Sequence, residues 1–307
     1  MATRTELYAA LSLIRHVEQK ILDVYMSDVM QCPVHLSVGQ ESVAAALCSH
    51  LGRGDLKIGT HRSHALYLAN GGDLKAFFGE LLGRRCGCSG GFGGSMHVVD
   101  RENGLVGTTS IVGGALPIAV GLALAVKRPR VAAVLFGDAA ADEGAFAESV
   151  NYAQLRMLPL VFLCENNRYS VYTHVRSRRA VNPSAVARAF GMETIEVPIE
   201  VANDVFALHA LLAAPIAKVR AGGGPLFVEC HTVRRYDHNG VRDDIAAGFR
   251  DEAERELFEA YCPIKLARRS LAAAEADAID AEVRQRVEAA YSLAEQSEQT
   301  VLEYQHV

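Results

Sequence analysis

The chain has 307 residues, 50% hydrophobic and 22% charged, so it can bury a large core and is neither disordered nor fibrous. Its 31 Lys and Arg against 36 Asp and Glu leave −5 at pH 7, a mild acidity with no field for gathering nucleic acid or an anionic membrane. Seven scattered cysteines, several inside apolar runs, fit a reducing compartment, and Cys86 and Cys88 lack the second pair that structural zinc needs.

The first residues carry Arg4, Glu6, Arg15 and His16 where a secretory signal would be apolar, an expectation of cytoplasmic residence. Thr3 and Glu6 have capping-box spacing, and Leu7, Leu11, Ile14, Ile21, Leu22 and Tyr25 recur at helical intervals, which predicts an opening amphipathic helix. A second helix is expected from Gln40 to Cys48. Residues 33–39 combine a strand's apolarity with a loop's punctuation and receive no assignment. Six glycines within residues 83–95 demand a loop, and with neither G-x-x-x-x-G-K-[ST] nor G-x-G-x-x-G present its role reads as structural. The apolar run from Ile111 to Val126 is shorter than the roughly 20 residues of a bilayer span and predicts a buried helix of small residues.

Val131 to Phe136 is a continuous apolar run ended by Gly137-Asp138, as in a strand buried on both faces. Asp142 to Met157 reads as a helix, and Leu160 to Cys164 as a second buried strand ended by Glu165-Asn166-Asn167. This is one βαβ unit and implies a parallel sheet. A helix over Val205 to Arg220 and a strand over Pro225 to Cys230 continue it. Beyond Asp251 the chain is charged and Ala-rich at helical spacing, with a break at Pro263. The expected fold is therefore α/β, a mostly parallel sheet flanked by helices. Residues 1–307 would form a single domain with an N-terminal helical segment and a C-terminal helical extension. The basic cluster Arg176, Arg178 and Arg179 reads as a solvated loop.

Ligands of open α/β sheets sit outside the carboxyl ends of the strands, which collects Asp138, Asn166, Asn167 and residues 231–238. A carboxylate and an amide oxygen side by side suit a hard cation such as Mg²⁺. Taken singly, Gly-Asp and Asn-Asn are ordinary turn dipeptides. In conjunction, GDAAADEGAFAESVNYAQLRMLPLVFLCENNRYSVYT resembles the diphosphate and metal motif of thiamine-diphosphate enzymes, written GDG and, one βαβ unit later, NN. With HLSVGQES, THRSHALYLANGGD, GCSGGFGGSMHV, SIVGGALPIAVGLALA and GGGPLFVECHTVR in order, nearly the whole chain is similar to alpha subunits of 2-oxo acid dehydrogenase first components, the pyruvate, acetoin and branched-chain group.

The resemblance implies a thiamine-diphosphate-binding fold. In it Asp138, Asn167 and the Tyr169 carbonyl would hold Mg²⁺, and Gly137, Asp138, Ala139 and Ala140 would form the diphosphate loop. His61 and Arg62 would touch diphosphate oxygens. Ser110 and Val112 would meet the aminopyrimidine through their backbone, with Ile111 beside the ring. His64 and His238 would approach the reactive carbon and the substrate carboxylate. It also implies decarboxylation of a small-molecule 2-oxo acid, or acetoin cleavage, with acyl transfer to a lipoyl protein. A separate beta subunit would supply the activating glutamate in an α₂β₂ heterotetramer, with a lipoyl acyltransferase as a further partner and no nucleic acid or membrane. Three departures leave alternatives open: Ala139 for the last glycine of GDG, Asp237 and Asn239 around His238, and Ala115 where the family has glutamine. They admit a non-oxidative carboligase, or a binding subunit without catalysis. A nicotinamide dehydrogenase stands further off, because the βαβ unit lacks the glycine fingerprint.

Overall fold

The computed structural model describes residues 2–30 and 32–301. Helix α1 (Arg4–Tyr25) starts at the capping box: the Thr3 side chain accepts from the Glu6 amide while the Glu6 carboxylate accepts from the Thr3 amide. The stripe of Leu7, Leu11, Ile14 and Ile21 is buried as its spacing predicts. There follow α2 (Glu41–Cys48), β1 (Leu56–Gly59), α3 (His64–Ala69), α4 (Leu74–Leu81), β2 (Leu105–Thr108), α5 (Ala115–Ala125), β3 (Ala132–Gly137), α6 (Gly144–Leu155) and β4 (Leu160–Asn166). A small antiparallel hairpin pairs β5 (Tyr169–Ser170) with β6 (Thr173–His174). The chain continues through α7 (Pro183–Ala189), β7 (Glu193–Val197), α8 (Ile199–Ala202), α9 (Val205–Arg220) and β8 (Leu226–His231) to α10 (Ala253–Tyr261), α11 (Pro263–Arg268) and α12 (Ala273–Glu295).

Six strands form one sheet in the order β2-β1-β3-β4-β8-β7, every neighbouring pair parallel. Period-two alternation divides its residues between two cores. Ala133, Leu135, Val161, Leu163 and Val228 join α1, α2 and α9 on one side. Ala132, Val134, Phe136, Phe162 and Phe227 join α5, α6 and α7 on the other. Phe136, Phe146 and Phe227 meet there with ring centroids 5.6–6.4 Å apart. Because both faces are covered, β3 and β4 can be apolar throughout, and polar side chains are admitted only at their carboxyl ends.

The carboxyl-terminal break falls where Pro263 places it, between α10 and α11. Helix α12 is tied to α1 through Asp280, which accepts from Tyr8 Oη at 3.0 Å and Ser12 Oγ at 2.6 Å. No helix of the described residues is long and apolar enough to cross a membrane.

Helix α5 corrects one expectation. Ala115, Leu116, Ala119 and Ala123 are buried, but Ile118 and Leu124 are about half exposed and Ile111, just before the helix, is 67% exposed. Its apolar character runs all round because only one side is covered by this chain. The glycine-rich loop is structural as expected, by a specific device. The Glu80 carboxylate from the end of α4 sits inside it and accepts from the amides of Ser89 (2.6 Å), Gly91 (2.9 Å), Gly93 (2.5 Å) and Gly94 (3.1 Å). The nest of backbone N–H groups is thus filled by an internal anion.

Candidate active site

A cavity opens beyond the carboxyl ends of β3, β4 and β8, where an open parallel sheet offers its crevice. Gly137, Asp138, Ala139 and Ala140 reach it from β3, and Glu165, Asn167 and Tyr169 from β4. Arg234 and His238 come from the segment after β8, and Gln40, His61, Arg62 and Val112 complete the wall. The approach of the 37–40 loop to the exit of β8 requires glycine. Gly39 has φ +98°, and a Cβ there would lie 2.1 Å from the Val233 carbonyl oxygen. That turn delivers Gln40, whose Oε1 accepts from Asn167 Nδ2 at 2.9 Å, while Asn167 Oδ1 accepts from the Tyr169 amide at 3.1 Å.

The three residues expected to hold a metal therefore line one cavity, with Asp138 1% and Asn167 6% exposed. Burial raises the Asp138 carboxyl above its ordinary range in spite of two cationic partners. Those partners correct the reading of the basic cluster as a solvated loop: only Arg176 is exposed. Arg178 donates to Asp138 Oδ2 at 2.5 Å and to the Asp142 carboxylate, and Arg179 donates to the Asp138 carbonyl at 2.5 Å. Net charge had favoured solvent, but a buried carboxylate at the end of β3 attracts the nearest guanidinium groups.

The imidazoles of His35, His61 and His238 gather at one side, with ring centroids 4.7–5.3 Å apart. Burial, followed by the Arg62 charge, lowers all three, to about 2 for His35, about 4 for His61 and about 3 for His238. They are neutral at pH 7 and present both a lone pair and an N–H. Arg62 spends Nη1 on the Leu36 carbonyl (2.6 Å) and Nη2 on the His238 carbonyl (2.9 Å), so it pins two loops together as well as lining the cavity. Glu165 is fully enclosed, and burial pushes its carboxyl up to about 8 against the opposing pull of Gln40 and Arg62.

His64 is corrected. It has no exposed surface and does not line the cavity. Its Nδ1 lies 3.1 Å from Glu18 Oε2 and its Nε2 2.7 Å from Ser95 Oγ, so both nitrogens are occupied and it acts as a core strut beneath the site. Ser110 and Ile111 lie outside the cavity lining, and only Val112 of that trio faces it. Among the residues that line or adjoin the site, sequence reasoning did not single out Gln40, Glu165 or His35, and it reached Arg234 only as one of residues 231–238. Gln40 and His35 stand inside HLSVGQES and Arg234 just after the third strand, so their motifs carried the signal. Arg234 is 1% exposed, donates to the Val171 carbonyl and Asp244, and leaves Nη1 without a partner.

A family model described as dehydrogenase E1 component matches residues 9–303. The alpha subunit of acetoin:2,6-dichlorophenolindophenol oxidoreductase from Bacillus subtilis (strain 168) is 36% identical over 236 residues, covering 76% of this chain and 70% of that one. Its counterpart from Cupriavidus necator is 34% identical over 294 residues, 93% of this chain and 87% of the relative. The mitochondrial pyruvate dehydrogenase E1 component subunit alpha-1 of Oryza sativa subsp. japonica is 34% identical over 299 residues, 94% and 74% respectively.

Proposed function

Because the chain belongs to the dehydrogenase E1 component family, we propose that it is the alpha subunit of a thiamine-diphosphate-dependent first component acting on a 2-oxo acid or acetoin. The observation that carries this reading is the convergence of Asp138, Asn167, Tyr169 and Arg234 in one cavity at the strand ends. The lining suits a metal-bound diphosphate on two counts. Arg234 Nη1 is a buried donor with no partner, and a Cβ at Gly137 would meet nothing within 4 Å.

Thiamine diphosphate, when bound, supplies a thiazolium carbon nucleophile and an electron sink for the carbon–carbon bond that breaks. Asp138, Asn167 and the Tyr169 carbonyl would hold Mg²⁺, a hard cation that takes such oxygen ligands. Arg234 would donate to diphosphate oxygens through Nη1, the nitrogen left free by its fixed position against Asp244. His61 and His238, neutral in this enclosure, would donate N–H groups to a substrate carboxylate or relay a proton at a ring nitrogen. Val112 would wall the organic ring.

Two further parts come from outside. The open apolar side around Ile111, Ile118 and Leu124 supports a partner subunit seated on it. That partner would be a beta subunit, as the alpha-subunit naming of the relatives suggests, contributing the activating glutamate in an α₂β₂ assembly. A lipoyl acyltransferase would take the acyl group.

Calorimetric titration of the chain reconstituted with its beta subunit tests the assignment. Mg²⁺-dependent binding of thiamine diphosphate is expected for the native chain and lost in Asp138→Ala, while circular dichroism stays the same. Unchanged cofactor affinity in that variant refutes the metal set. Reductive acylation of a lipoyl domain by the loaded enzyme tests the acceptor, and a carbon–carbon bond formed with an added aldehyde instead would overturn it.

A further inference from the structure

We infer that a groove outside the cofactor cavity binds a phosphate-class anion, either inorganic phosphate or the phosphate of a monoester. The groove runs from the segment after β6, along α7, to the edge strand β7. Arg176, Arg179 and Arg188 form its cationic wall, with Asn182, Ser184 and Glu196 as the polar remainder. None of these six lines the cavity at the ends of β3, β4 and β8, so the inference stands apart from the cofactor assignment.

Arg179 carries the argument. Its side chain is 10% exposed, and Nη2 is engaged by the Asp138 carbonyl at 2.5 Å and by Asp142 Oδ1 at 2.8 Å. Nε and Nη1 are buried and have no hydrogen-bond partner. Unmet donors on a buried cation are costly, and an anion that reaches them from the groove removes that cost.

Two more guanidiniums face the groove without a close partner. Arg176 is exposed, and its side chain makes no hydrogen bond or ion pair among the described residues. Arg188 is half exposed, and its one ion pair among the described residues, with Glu196, is 3.8 Å long. Glu196 is the groove's single carboxylate and is already engaged: it accepts from Asn182 Nδ2 and Ser184 Oγ and meets His231 Nε2, each at 3.1 Å. Three positive charges against one negative leave the groove cationic in a chain whose net charge is −5. The adjoining hollow shows the contrast, because Arg168 there is closed by Glu254 at 2.7 Å and Asp251 offsets Arg176. Guanidinium groups form strong charge-assisted bonds with phosphate oxygens, and a dianion matches the surplus better than chloride or a monocarboxylate.

The test is calorimetric titration of the full chain, free of cofactor and divalent ions, with inorganic phosphate and separately with AMP at constant ionic strength. One equivalent is expected to bind in the groove, at least about tenfold weaker in the double variant Arg176→Gln with Arg188→Gln. Arg53→Gln, at another exposed arginine, should leave it unchanged. Tighter binding of AMP assigns the groove to an ester, and tighter binding of phosphate to the free ion. The ligand should also shield Arg176 and Arg188 of the unmutated chain from phenylglyoxal, read by mass spectrometry. Shielding confined to Arg234 would place the anion in the cofactor cavity; that result, no binding, or equal affinity in the double variant overturns the groove.

Discussion

Glu165→Gln should make the stability of this protein depend differently on pH. The side chain lies at the carboxyl end of β4, 4% exposed, and burial holds its carboxyl near 8 against an ordinary value of 4.5. Between those values the folded chain keeps a proton that the unfolded chain has released, so this group lowers stability as pH rises, by about 1.4 kcal/mol per unit in mid-window. From about pH 5.5 to 7.5 the loss integrates to about 2.5 kcal/mol, allowing for partial ionisation near 8. The buried histidines act in the opposite sense. His35, His61 and His238 are depressed, so their contribution rises with pH up to the unfolded value of 6.5 and is complete above it. That background is common to both proteins and cancels in their difference. Thermal melts of the two at a series of pH values should therefore show the variant gaining on the native chain by about 5 °C over this range, at ~2 °C per kcal/mol for a chain of this length. A difference that stays flat with pH would mean Glu165 is ionised in the folded state, and the reasoning from burial would fail.

Three other outcomes are expected. Arg178→Gln removes a fixed cation from the Asp138 carboxylate and should lower, a few-fold, the Mg²⁺ needed to saturate cofactor binding by the reconstituted enzyme; a higher requirement would mean that Arg178 serves the cofactor itself. Gly39→Ala places a Cβ against the Val233 carbonyl at positive φ and should cost at least about 2 kcal/mol by urea unfolding, with an unchanged midpoint counting against the tight turn. Glu80→Gln leaves part of the backbone nest unsatisfied and should cost about 2 kcal/mol in the same assay, whereas an equally stable variant would mean that water replaces the carboxylate.

The middle of the sheet was legible in the sequence because it is buried on both faces. β3, α6 and β4 are long, apolar and sharply punctuated, and α9 appears with the bounds its spacing predicts. β1, β2 and β7 were not legible. β1 is four residues long and carries Lys57, whose Nζ is held by Asn70 and two carbonyls, so burial there is purchased by hydrogen bonds that a hydrophobic pattern does not contain. β7, at the sheet edge, reads Glu-Thr-Ile-Glu-Val, with too few apolar residues to show a period of two, and is buried only at Val197. At the cavity, the placement of Asp138 and Asn167 was readable because strand ends gather them, whereas Tyr169 came only with the family resemblance. The burial of Arg178 on Asp138 was not, since it depends on a loop folding back across 40 positions. His64 was misplaced for a related reason. A motif fixes order along the chain, whereas the side of α3 it occupies is fixed by Glu18 and Ser95, which come from distant segments.

The ion cluster at the end of β3 bears on how such a site waits for its ligand. Asp138 and Asp142 face Arg178 and Arg179, two negative charges against two positive, with Asp138 buried and Asp142 at the solvent side. A bare pair of carboxylates there would repel and loosen the loop, and a bare pair of guanidiniums would scavenge any passing phosphate. Matched, they leave this end of β3 without net charge and fasten the loop to it. Any cation reaching Asp138 would have to displace a guanidinium from it, an exchange of one balanced set of charges for another.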